Sequence, residues 1–139
     1  MASRLADFAT KTGASLAIIP SRRTPANLVT QLTGTLGPLP YAVMDQAENN
    51  PYPGILGLVN AVIVTSDSVN MISEACFTGK PVHVLALEGG SGSKFERFHT
   101  EMRLAGHTRP FQGKLEEWRP VRLDETSRVA REIIARLGL

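Results

Sequence analysis

Two short stretches of this chain carry side chains whose types and spacing suit binding of a charged ligand. The first is Thr65-Ser66-Asp67-Ser68, followed by Val69, Asn70 and, further along, Glu74. It follows a β-branched run and precedes residues of helical period, so it reads as a turn between a strand's carboxyl end and a helix N-terminus. Unpaired N–H groups and the helix dipole at such a point favour an anion such as phosphate. Asp67, Asn70 or Met71, Glu74 and Thr78 share one polar edge of that helix. A carboxylate one to two turns above a phosphate accepts hydrogen bonds from a ribose diol. The second stretch is Ser21-Arg22-Arg23, at the end of another strand-like run. Its guanidinium forks match phosphate oxygens bidentately. The competing reading is structural: Asp67 and Ser68 cap a helix, Glu74 faces water, and the arginines sit on a solvated turn.

These residues need a frame to bring them together. Ala61 to Thr65 is apolar and β-branched, as a buried strand requires. Val69, Ile72, Ala75 and Cys76 then fall on one helical face, Gly79 suits a helix C-terminus, and Pro81 blocks continuation. Val82 to Leu87 is the next strand. The unit is a βαβ crossover of a parallel sheet. Ser15 to Ile19 and Tyr41 to Met44 read as two earlier strands, and Arg4 to Lys11 as a short helix ended by Gly13. Thr24 and Pro25 are expected at the N-cap and first position of a helix reaching Leu36, with Leu28, Leu32 and Leu36 inward. Asn49 to Pro53 forms an extended loop, in which Tyr52 either stacks on a base or packs on its own domain. Gly54 to Asn60 is a short helix. Ser93 with Glu96 reads as a capping box, opening a helix whose apolar face is Phe95, Phe98 and Met102. Lys94, Arg97 and His99 near its start either approach a ligand or face water. Gly106 to Gly113 reads as a loop. The last helix is capped by Asp124 and striped by Val129, Ile133, Ile134 and Leu137. The expectation is one α/β domain over 1–139: a Rossmann-like, three-layer domain with a parallel sheet of about four strands, ordered 2-1-3-4. The crevice would lie between the Ser21-Arg22-Arg23 and Ser66-Asp67-Ser68 turns.

The run Asp67-Ser68, Glu74-Ala75 and Gly79-Lys80-Pro81-Val82 resembles the nucleotide-binding segment of non-hydrolysing UDP-N-acetylglucosamine 2-epimerases and of GT-B glycosyltransferases. A broader similarity, from about Ser15 to Gly113, is to the mitochondrial-fission (elongated mitochondria) family. It rests on Ser21-Arg22-Arg23-Thr24-Pro25, Asn50-Pro51-Tyr52, Val64 to Ser68, Met71 to Cys76, Thr78 to Val82, and Phe95 with Phe98-His99. The resemblance implies the C-terminal half of a GT-B-like fold, its N-terminal half lying outside this chain. It also implies a nucleotide-sugar ligand such as a UDP-sugar, held by Ser21, Arg22, Arg23, Thr65, Ser66, Asp67, Ser68, Val69, Asn70 and Glu74. Val69 and Asn70 stand where the epimerases carry glycine, which limits close backbone approach to a diphosphate.

Composition narrows the classes. A net charge of +2, with no basic run interleaved with aromatics, gives no support to nucleic-acid binding. The single Cys76 excludes an internal disulfide and lies on the apolar helix face. Three scattered histidines lack metal-ligand spacing. No run approaches the roughly 20 apolar residues of a membrane span, and Met1 to Thr10 lacks the apolar core of a signal peptide. A cytoplasmic location, with peripheral membrane association open, is the expectation. Glycines 89, 90 and 92 before Lys94 lack the P-loop spacing, so an ATPase is rejected. Three functions remain: metal-independent glycosyl transfer, nucleoside-diphosphate-sugar epimerisation of the GT-B kind, and a non-catalytic scaffold. For both enzyme readings the acid and base residues would come from the other half, and this fragment alone would be inactive.

Overall fold

The computed structural model describes residues 1–22, 24–44, 51–87 and 92–138, without the side chain of Ser93. In chain order the elements are α1 (Ala2–Thr12), β1 (Leu16–Ile18), α2 (Ala26–Leu36), β2 (Tyr41–Val43), α3 (Tyr52–Leu58), β3 (Val62–Thr65), α4 (Val69–Phe77), β4 (Val82–Leu85), α5 (Ser93–Leu104), β5 (Thr108–Pro110) and α6 (Glu125–Leu137). All strand pairings are parallel. β1 pairs with β2, β3 with β4, and β4 with β5.

Alternation along the central strands separates two packed faces. Val62 and Val64 of β3, with Val82 and Val84 of β4, join a core completed by Tyr52 and Leu56 of α3, Ile72, Ala75 and Cys76 of α4, and Met102 of α5. Ile63 and Leu85 point the other way, into a smaller cluster with Phe8 of α1 and Phe111. α2 lies against α1. Helices therefore cover both faces, the three layers of a Rossmann-like domain.

The strands form two sheets, β1-β2 and β3-β4-β5, in place of one sheet ordered 2-1-3-4. The short β1-β2 pair stands apart, and among the described residues no ladder joins β1 to β3. A fifth strand stands inside the expected loop at Gly106 to Gly113. Thr108-Arg109-Pro110 has no apolar alternation, and Pro110 ends the strand, where its missing N–H is tolerated.

Several boundaries shift for local reasons. Pro25, not Thr24, occupies the N-cap of α2. The Thr24 hydroxyl instead accepts the Ser21 N–H at 2.9 Å. α3 begins at Tyr52, two residues before the expected start, because proline fits a first helical turn. Gly92 takes the N-cap of α5, so Ser93 is its first helical residue. The stripe of α6 is not buried: Val129, Ile133, Ile134 and Leu137 are 43–66% exposed. Leu36 is buried, while Leu28 and Leu32 are half-buried. Gly79, at φ 75°, takes the left-handed conformation expected after α4. No helix among the described residues is long and apolar enough to cross a membrane.

Lys80 shows why a charged residue follows that glycine. Its Nζ donates to the carbonyls of Gly57 at 2.6 Å and Val59 at 2.5 Å, satisfying the C-terminal end of α3. Lys80→Met keeps the aliphatic stem but removes both charge-assisted bonds. The expected loss is about 1–2 kcal/mol, read as a lower urea midpoint at an unchanged slope. An unchanged midpoint would show that these bonds contribute nothing net.

Candidate functional site

A cleft of about 600 Å³ runs along the gap between β1 and β3. At the strands' carboxyl ends its lining includes Ser21 and Thr24 after β1, Thr65 at the end of β3, and Asp67 and Ser68 after it. These two turns are the ones the sequence sets opposite each other, and both line the same cleft. Below the mouth the walls are aliphatic, including Ile18, Leu28, Val59, Ile63, Met71 and Leu115. Asp67 carries the one charged side chain among the described residues that line it.

The turn after β3 is held from three sides. Ser66 donates its N–H to Leu85 O at 3.0 Å. Its hydroxyl accepts the Leu87 N–H at 3.2 Å. Its carbonyl lies 2.7 Å from Nε2 of His99 on α5. Ser66 is buried, so its side chain acts here as a brace to the next strand. Ser68 stands at the N-cap of α4 and is also buried, but its side chain makes no capping bond. The expected cap from the turn's oxygens is therefore not formed. The Ser68 N–H instead closes the turn on Thr65 O at 3.2 Å.

The remaining candidates separate. Arg22 is exposed and does not line the cleft, and Arg23 lies outside the described residues. Val69 is half-buried and Asn70 exposed at the start of α4, also off the cleft lining. Glu74 is exposed and lines a second groove with Tyr52, Phe77, Leu123 and Glu125. The polar edge expected from Asp67 to Thr78 is thus divided between two depressions, with Tyr52 touching both. Asp45 to Asn50 and Glu88 to Ser91, including the glycine-rich segment, lie outside the described residues. His99 turns to the Ser66 backbone. Its sequence signal is its place beside Phe98, on the side of α5 that faces the core.

Burial sets the ionisation of the other reactive groups. It pushes the Cys76 thiol up to about 12. Sγ donates to His107 O at 3.7 Å, so Cys76 is a core residue. Tyr52 is also raised to about 12, first by burial and then by the charges of Glu74 and Cys76. Its hydroxyl donates to Met71 O at 3.1 Å, which fixes α3 on α4 and settles Tyr52 as packing on its own domain. Among the described residues no group of three or more His, Cys, Asp or Glu could hold a metal ion.

Parallel strands, helices on both faces and a cleft at the strand ends define an α/β domain of Rossmann-like class. The sequence pattern of the family described as "Mitochondrial fission ELM1" matches residues 1–137. The chain belongs to this mitochondrial fission family. It is 37% identical over 130 residues to the "Mitochondrial fission protein ELM1" of Arabidopsis thaliana, a match covering 88% of this chain. The chain spans 30% of that relative's length. No solved structure matches it.

Ser66→Ala leaves the Leu87 N–H without its partner. Stability should fall by about 1–3 kcal/mol. Ser68→Ala removes no bond of this kind and should cost distinctly less. Thermal unfolding of the two variants side by side checks the assignment. Equal losses would remove the distinction between brace and open hydroxyl.

Proposed function

We propose that this chain is a non-catalytic scaffold domain of the mitochondrial-fission family type, with the cleft between β1 and β3 as a binding surface. The observation that carries this reading is the lining of the cleft: long aliphatic walls with Asp67 as the one charged side chain among the described residues. Acid–base chemistry, or stabilisation of a leaving diphosphate, needs further charged groups at the reacting atoms. Arg22, the described candidate for the diphosphate, and Glu74, the candidate for the ribose, stand elsewhere. Membership of the fission family supports the same reading. A cytoplasmic position with peripheral membrane association goes with it.

A second reading is a nucleotide-sugar site of GT-B type, glycosyltransferase-like or nucleoside-diphosphate-sugar epimerase-like. One observation favours it: Ser21, Thr65, Asp67 and Ser68 line one cleft, at the carboxyl ends of β1 and β3. On that reading the phosphates sit against the backbone of Ser66 to Val69.

Titration of the labelled chain with UDP and UDP-N-acetylglucosamine, followed by NMR, separates the two. The scaffold reading expects no saturable shifts at Ser21 or at Ser66 to Val69 with ligand at about 1 mM, which corresponds to binding weaker than about −4 kcal/mol. Saturable shifts confined to those residues would overturn it in favour of the nucleotide-sugar site.

A further inference from the structure

The segment from Gly113 to Asp124 has no helix or strand of its own, yet it is bound along the edge of the second sheet like a strap. The Glu116 N–H reaches His83 Nε2 at 2.9 Å, and Trp118 Nε1 donates to Gly106 O at 3.2 Å. The Val121 N–H also donates to Gly106 O, and its carbonyl lies 2.7 Å from His107 Nδ1. The Leu123 N–H then donates to Cys76 O, and α6 follows.

His83 is the unusual member of this set. It lies on β4 and is 0% exposed. Because Nε2 accepts an N–H, that nitrogen carries no proton, and the single ring proton sits on Nδ1. Nδ1 is itself buried and has no hydrogen-bond partner. Phe111 and Trp118 enclose the ring edge-on, with centroids at 6.5 Å and 5.1 Å. Two charged groups face it, Arg109 from β5 and Glu116 from the strap, themselves 3.8 Å apart. The Arg109 guanidinium also lies 5.1 Å from the centre of the Trp118 ring. α1, packed on the same face, contributes Phe8 against Phe111.

We propose that His83 is a proton-operated latch on this strap. Neutral, it accepts the Glu116 N–H and holds the strap on the sheet. Protonated, both its ring nitrogens are donors, the bond to Glu116 is lost, and the strap lifts with α6 at its end. The larger core lies on the opposite face of β4, through Val82 and Val84, and the strap reaches it only with the partly buried Leu123, so opening withdraws that side chain while the sheet keeps its own packing.

The direction with pH follows from the environment. Burial, the largest influence, lowers the His83 pKa; the Glu116 carboxylate raises it and the Arg109 guanidinium lowers it, for a net decrease. The closed strap therefore binds fewer protons than the open one, in which His83 titrates near about 6.5. The latch holds fully above that pH and weakens as pH falls through the lowered range. One proton of difference makes the opening constant rise about tenfold per pH unit.

Amide exchange of the 139-residue chain at pH 7.5 and 5.5, corrected for intrinsic rates, tests this. The amides of Glu116, Val121 and Leu123 should lose protection by up to about tenfold at pH 5.5, while Val64 and Val84 in the ladder keep theirs. The nitrogen shift of His83 Nε2 should report an unprotonated atom at pH 7.5 and move toward imidazolium over the same range. His83→Gln offers an acceptor that does not titrate, so its strap should exchange alike at both pH values. Unchanged strap protection in the wild type would overturn the latch. So would loss of strap and ladder together, an Nε2 already protonated at pH 7.5, or a Gln variant that opens on acidification. If the Gln variant does not fold, the wild-type exchange and the imidazole shift decide between these outcomes on their own.

Discussion

The contact on which the rest of this fold depends is the burial of α4 against β3 and β4. Ile72, Ala75 and Cys76 are 0%, 0% and 1% exposed. Two of the three are small, which lets the helix backbone come close to the sheet. Its neighbours then tie themselves to that backbone. Tyr52 bonds to Met71 O, the Leu123 N–H to Cys76 O, and the Cys76 thiol reaches across to His107 O. α3, the strap and the start of β5 thus share one support. The same burial pushes the Tyr52 and Cys76 pKa values up to about 12, further from the range in which either would ionise.

The position of α4 also fixes the turn that precedes it. Ser66 has its N–H, hydroxyl and carbonyl all engaged, with β4, with the chain just beyond β4, and with α5. A turn held from three directions is preorganised, and a ligand meeting it need not order it first. What it presents at the cleft mouth is small and polar, from Thr65, Asp67 and Ser68, above a long aliphatic interior.

Much of this was legible in the sequence, because periodicity reports burial directly. The βαβ unit from β3 to β4, the left-handed Gly79 and the Asp124 cap of α6 follow from residue pattern, and the cap is seen in the Ser127 N–H to Asp124 Oδ1 bond at 3.2 Å. The Ser21 and Ser68 turns line one cleft as expected, although β1 and β3 lie in separate sheets. Other features depend on partners distant in the chain. β5 is a strand because β4 offers it a ladder, although its own residues lack strand character. Thr24 suits a cap, but its hydroxyl serves the Ser21 N–H. Glu74 lies on the same helix as the turn, yet α3 and the start of α6 enclose it in another groove. The separation of β1-β2 from β3-β4-β5 is a matter of long-range packing, which no local pattern encodes.

α6 obeys a different rule from the other helices. It buries no residue, and at 13 residues it is near the length where an isolated helix is marginal. What holds it lies along its own solvent side: the Asp124 cap, Arg128 bonded to Glu125 at 2.6 Å and near Glu132 at 3.6 Å, and Arg136 bonded to Glu132 at 2.5 Å. Exposed ion pairs of this kind weaken as salt screens them. The aliphatic stripe on the adjoining face is continuous only while the helix stays wound. Salt thus weakens the pairs that support the winding of this apolar stripe, although none of the residues in the stripe is charged.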